Sequence, residues 1–86
     1  MLSVIGTVIK KERKYTKNKA DLIVKDSFGN IHPFEVRKNE LIKIIEVKED
    51  DNVKVFYRIE TSERLNKKTN EYNRIPNEIL MDLEVL

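Results

Sequence analysis

Two stretches of this chain place lysine and arginine beside a tyrosine, the side-chain mixture that an unpaired nucleic-acid strand can use. Residues 10–19 hold six bases and one acid around Tyr15, and residues 64–74 hold four bases and one acid around Tyr72. Cations neutralise phosphates and release condensed counterions, while a flat ring stacks on an exposed base for roughly 1–3 kcal/mol. The candidate phosphate contacts are Lys11, Arg13, Lys14, Lys17 and Lys19 in the first stretch and Arg64, Lys67, Lys68 and Arg74 in the second. Tyr15 and Tyr72 are the candidate stacking rings. The competing explanation is a pair of solvated loops whose charge keeps the chain soluble and whose tyrosines anchor the loop ends.

Few other residues offer chemistry. The chain has no cysteine, which removes disulfides, thiolate metal sites and cysteine nucleophiles. His32 is the only histidine and stands beside Pro33, as a strand-end residue would. Ser3, Ser27 and Ser62 have no base nearby in sequence. Glu49, Asp50 and Asp51 are adjacent and lack the spaced oxygen ligands of a calcium loop. Two glycines, Gly6 and Gly29, are too few for a phosphate-cradling loop. The expectation is a non-enzyme without metal or cofactor. The longest apolar runs are far short of the roughly 20 residues that span a bilayer, and the start does not resemble a signal peptide. A cytoplasmic location is therefore expected.

Length and composition bound the scaffold. Eighty-six residues, 40% of them hydrophobic, suffice for one small core, so a single domain over 1–86 is expected. Ile occurs ten times and Val eight, whereas Ala20 is the only alanine. Branched side chains suit a pleated sheet, and the scarcity of alanine argues against a helical bundle. Charge is segregated behind the net value of +2: residues 1–38 carry +5, 39–63 carry −3, 64–75 carry +3 and 76–86 carry −3.

Periodicity supplies the elements. Residues 2–14 read as a long first strand, with Gly6 marking a bulge or a close backbone approach. Residues 20–26 alternate, with Ala20, Leu22 and Val24 on one face, and a turn follows at 27–30. Residues 31–37 put Phe34 and Val36 on one face. Asn39 is a candidate N-cap for a short helix with an apolar stripe of Leu41, Ile44 and Ile45. From residue 53, Val53, Val55, Tyr57 and Ile59 alternate with Lys54, Phe56, Arg58 and Glu60. After the second basic stretch and Pro76, a last strand over 77–86 presents Ile79, Met81, Leu83 and Val85. Lys25 and Arg37 then fall on outward positions of strands two and three, between the two basic stretches. Both join those stretches as candidate nucleic-acid contacts, with the Arg37 plane also able to stack. Phe28 is expected to cover a barrel end. Phe56 shares an outward face with Lys54 and Arg58, which suggests cover by another element or a homo-oligomer contact.

The order β-β-β-α-β-β, with glycine in a long curved first strand, predicts a mostly β domain: a five-stranded Greek-key barrel of the OB type. An SH3-like barrel would not place a helix after the third strand. In OB barrels the strand 2–3 face and the loops joining strands 1–2 and 4–5 bind oligonucleotides or oligosaccharides. Those loops are the two basic, tyrosine-bearing stretches. Residues 33–37 (PFEVR), 53–61 (VKVFYRIET), 77–81 (NEILM) and 4–9 (VIGTVI) together resemble a family of small bacterial and phage OB-fold proteins described as single-strand-binding-like. Where that family often has tryptophan after the third strand, this chain has Arg37. The resemblance implies a single-stranded DNA partner, or RNA, and a setting in replication or repair. The alternative is a protein-interaction module built on the same small barrel.

Overall fold

The computed structural model describes residues 1–14 and 18–86. Strands β1 (Leu2–Lys14), β2 (Lys19–Asp26) and β3 (Ile31–Val36) precede a short helix, Lys38–Ile44, and strands β4 (Asn52–Asn66) and β5 (Glu71–Val85) follow it. The sheet closes in the order β1-β2-β3-β5-β4, the five-stranded barrel expected from the sequence. All neighbours are antiparallel except β3 and β5, which are parallel and share one rung, Glu35 opposite Ile79.

The parity of the first four strands explains the core. Ala20, Leu22 and Val24 of β2, Phe34 and Val36 of β3, and Val53 and Val55 of β4 are fully buried with Val8 of β1. Tyr57 packs against this cluster, with its ring centroid 5.1 Å from that of Phe34. β1 serves two ladders at once: residues 2–7 pair with β4 and residues 6–14 with β2. Gly6 sits where both ladders overlap. A Cβ there would lie 2.4 Å from the Lys25 carbonyl oxygen and 2.7 Å from Val24 Cγ1, so only glycine allows the two strands to approach. The bulge itself falls three residues later, where Ile9 is skipped between the Val8 and Lys10 rungs.

Three expectations change. The helix is of the tighter 3-10 type over seven residues, and its N-cap is Arg37 with no capping side chain, not Asn39. Ile44 and Val47 are buried beneath it, while Ile45 is 66% exposed. Cations hold it instead: Lys11 Nζ donates to the carbonyls of Ile44 and Ile45 (3.0 and 3.2 Å), and Lys43 Nζ to that of Met81 (2.8 Å).

The last strand also differs. A bulge leaves Met81 unpaired between the rungs Tyr57–Leu80 and Phe56–Asp82, so the parity reverses there. Leu80, expected to point outward, is fully buried. Finally, β4 and β5 each run 15 residues, so most of the second basic stretch is strand rather than loop. Pro76 lies inside β5 opposite Thr61, and only β4 flanks it there, so its missing donor interrupts no second ladder.

Gly6→Ala is expected to lower stability by about 2 kcal/mol, on the order of 10 °C in melting temperature, because the new methyl meets backbone. Thermal denaturation followed by circular dichroism checks this.

Candidate nucleic-acid interface

The β4–β5 hairpin carries the cleanest cationic surface. Beyond the barrel its strands pair Glu63 with Arg74, Arg64 with Asn73 and Leu65 with Tyr72. The turn at 67–70 is closed by Asn70 N–H donating to the Asn66 carbonyl (2.7 Å), with Asn70 at φ 59°. Arg64, Lys67, Lys68 and Arg74 are all exposed, and Tyr72 is 71% exposed. Arg74 Nε donates to Glu63 Oε1 at 3.2 Å across the ladder. No residue from Glu63 to Pro76 is buried.

The first basic segment is described in part. Tyr15 and Lys17 lie outside the described residues, as does the side chain of Lys14. Arg13 is exposed, and Lys11 is committed to the helix carbonyls. Both line a recess of about 410 Å³ floored by Ala20, Leu41 and Ile44. Register sets the two segments apart. The first leaves the barrel at the far end of β1, where Lys14 pairs with Lys19. The hairpin runs on past the near end of β1, where Leu2 pairs with Tyr57. Between them lies the outer face of β2 and β3, with the rungs Asp21–Glu35, Ile23–Pro33 and Lys25–Ile31.

On that face the cations have partners. Arg37 Nε donates to Glu35 Oε2 (2.9 Å) and its Nη2 to Glu60 Oε1 (2.9 Å). Arg58 Nη1 donates to Glu60 Oε2 (2.7 Å), and Lys19 Nζ to Glu35 Oε1 (3.2 Å). The result is one chain, Lys19–Glu35–Arg37–Glu60–Arg58. Hydrogen bonds from Arg37 and then Arg58 hold the Glu60 carboxyl at about 2. Burial opposes the charge on Glu35, yet bonds from Arg37 and Lys19 outweigh it and keep its pKa low. Lys25 is exposed at the other end of the face. The same-face spacing of Glu35 with Arg37 and of Arg58 with Glu60 is the signal in the sequence that could have revealed these pairs.

Rings occupy other places. Phe34 and Tyr57 are inside with His32, whose ring stacks on Phe34 at 5.6 Å. Phe56 is half-buried, and the Lys54 ammonium stands 5.2 Å from its ring centroid. That contact shields part of an outward phenylalanine within one chain. Phe28 does not cover a barrel end as expected; it is 90% exposed. Its turn is fixed: Phe28 and Asn30 N–H both donate to Asp26 Oδ1 at 2.9 Å, and Gly29 adopts φ 85°.

Asp26 also meets the lone histidine. His32 Nε2 lies 2.8 Å from Asp26 Oδ2, and Nδ1 lies 3.0 Å from Glu78 Oε2. Among the described residues no group of three or more His, Asp or Glu could hold a metal ion.

No protein-family model matches the chain, and no curated protein matches it in sequence. Among solved structures it is similar to a crystal structure of Rim1, a mitochondrial single-stranded DNA binding protein from S. cerevisiae. The TM-score is 0.74 at 11% identity, over 99% of this chain and 90% of that one. At that identity the likeness is one of fold: this chain is an OB-fold barrel, from β1 through β5.

The histidine cluster sets a pH dependence. Burial alone would depress the His32 pKa, but hydrogen bonds and charge from Asp26 and Glu78 prevail and raise it above 6.5. The His32 bond, as the largest cause, lowers Asp26 below 3.8. A raised histidine stabilises the fold fully below 6.5, and that contribution disappears as pH climbs through the folded value. A lowered Asp stabilises it above 3.8, and that contribution is lost as pH falls. Melting temperature is therefore expected to peak between about pH 4 and 6.5 and to decline as pH rises above 6.5 through the folded His32 value. His32→Gln should flatten the decline above pH 6.5 in a pH series of melts.

Proposed function

We propose that the protein is a non-catalytic module that binds single-stranded DNA with little sequence preference. The observation that carries this reading is the exposed basic hairpin, Arg64 to Arg74, projecting from an OB-fold barrel at the position where such barrels hold oligonucleotides. Its fold neighbour is a protein that binds single-stranded DNA, which supports the same assignment. Phosphates bind Arg64, Lys67, Lys68 and Arg74 on the hairpin and Arg13, Lys14 and Lys17 at the β1–β2 connection. Bases stack on Tyr72 and, from the first segment, Tyr15.

Phe28 joins them as a stacking ring. Its turn is held by Asp26, so the ring is presented at little further ordering cost.

Fluorescence anisotropy of labelled oligo-dT at several salt concentrations tests the reading. Binding should weaken with salt, log K falling by about 0.7 per bound phosphate for each unit of log salt. Reversing both Lys67 and Lys68 to Glu should make the slope shallower by about 0.7 for each phosphate no longer neutralised. Absence of binding at the lowest usable salt would reject the reading and favour a protein-interaction module.

Phe28→Ala separates stacking from charge. It should weaken oligo-dT binding by roughly 1–3 kcal/mol while leaving the salt slope as in the wild type. Unchanged affinity would remove Phe28 from the interface.

A further inference from the structure

We infer that Glu35 and Glu60 are built-in competitors for phosphate, which hold the central cations of the β2–β3 face in reserve and so set how tightly a strand binds there. This deepens the nucleic-acid reading and rests on it.

The geometry is that of an occupied anion site. Each carboxylate receives two different cations, one on each oxygen: Lys19 and Arg37 on Glu35, Arg37 and Arg58 on Glu60. A phosphate would offer the same cations a pair of anionic oxygens, and the guanidinium fork suits either group. The five side chains are between 28% and 45% exposed, so an incoming strand can reach them.

Exposed ion pairs of this kind contribute only about 0–1 kcal/mol each. The network is therefore weak enough to be exchanged for phosphate, yet it cancels charge until exchange occurs. Within the network three cations meet two acids, leaving it one net positive charge, where composition alone suggests that Lys19 and Arg37 are both free. The hairpin and the β1–β2 connection lie at opposite ends of β1, with this face between them. A strand that engages one end alone gains little from the centre. A strand long enough to reach across is brought to the network at high effective concentration and can displace the carboxylates.

Removing a competitor should then strengthen binding. Glu60→Gln keeps the side-chain shape and is expected to bind oligo-dT on the order of five- to tenfold tighter at low salt, about the effect of one added charged hydrogen bond. Its slope of log K against log salt should steepen by about 0.7. Adding Arg37→Gln to Glu60→Gln should abolish the gain, while Arg37→Gln alone stays near wild type. Glu35→Gln serves as an independent second variant, and circular dichroism melts confirm that each folds. If wild type binds and the hairpin reversal weakens it, but both glutamine variants bind with unchanged or lower affinity, the competitor role is overturned and the nucleic-acid reading stands. If wild type fails to bind oligo-dT at any usable salt, that reading falls and the competitor role falls with it.

Discussion

Closure of the barrel depends on the seam between β3 and β5. Every other neighbouring pair shares at least six rungs, but these two meet at one, Glu35 opposite Ile79. Parallel strands joined at one rung are a weak closure by backbone alone. Side chains supply the rest. His32 reaches Glu78 of β5 on one side of the rung, and on the other Arg37, just past β3, reaches over β5 to Glu60 of β4, which stands opposite Asn77. Ile79 lies buried beneath, at 2% exposure, and completes the seam with apolar packing. The ion pairs on the outer face therefore have a structural task as well as an electrostatic one.

That double task shapes what the surface can do. A cation that bridges strands is not available to a ligand at no cost, whereas the hairpin cations bridge nothing but the hairpin itself. Lys11 shows the same division: its ammonium completes the C-terminal carbonyls of the helix and so joins β1 to the barrel's cap. Charge count alone treats all these side chains alike. Local geometry sorts them into those already engaged by protein groups and those left exposed on the hairpin.

Much of the fold was legible because strand parity is a local property. The alternation in β2, β3 and the first half of β4 identified the buried residues directly, and glycine in the first strand marked the close approach at Gly6. What was not legible arose from single-residue shifts and from pairings distant in sequence. A bulge at Met81 reverses the parity of β5, and nothing in the run Ile79-Leu80-Met81 announces it. Pro76 reads as a strand end, yet it is tolerated where β5 has one neighbour only. Phe28 resembles a core residue by type, but the Asp26-held turn points outward. Of the candidate site, the hairpin cations stand exposed as the sequence suggested. The neutralisation of Arg37 and Lys19 required knowing that Glu35 and Glu60 face the same way.

The placement of the hairpin carries a last consequence. From Glu63 to Pro76 it has no buried side chain and no third strand, so its order rests on ladder bonds and on pairs such as Leu65–Tyr72 and Glu63–Arg74. Two-stranded ribbons without a core are marginal by themselves. This one remains an element because its strands continue from β4 and β5 inside the barrel, where Val53, Val55 and Leu80 are packed. The barrel thus fixes the base of the arm and leaves its tip the least anchored part of the described fold. An arm of that kind can adjust to an irregular polyanion, but ordering it on binding costs conformational entropy. Phe28, on a turn already tied down by Asp26, carries little of that backbone cost. On the proposed reading, rigid and adaptable contacts are divided between two elements, which suits a partner recognised by charge and stacking rather than by a fixed shape.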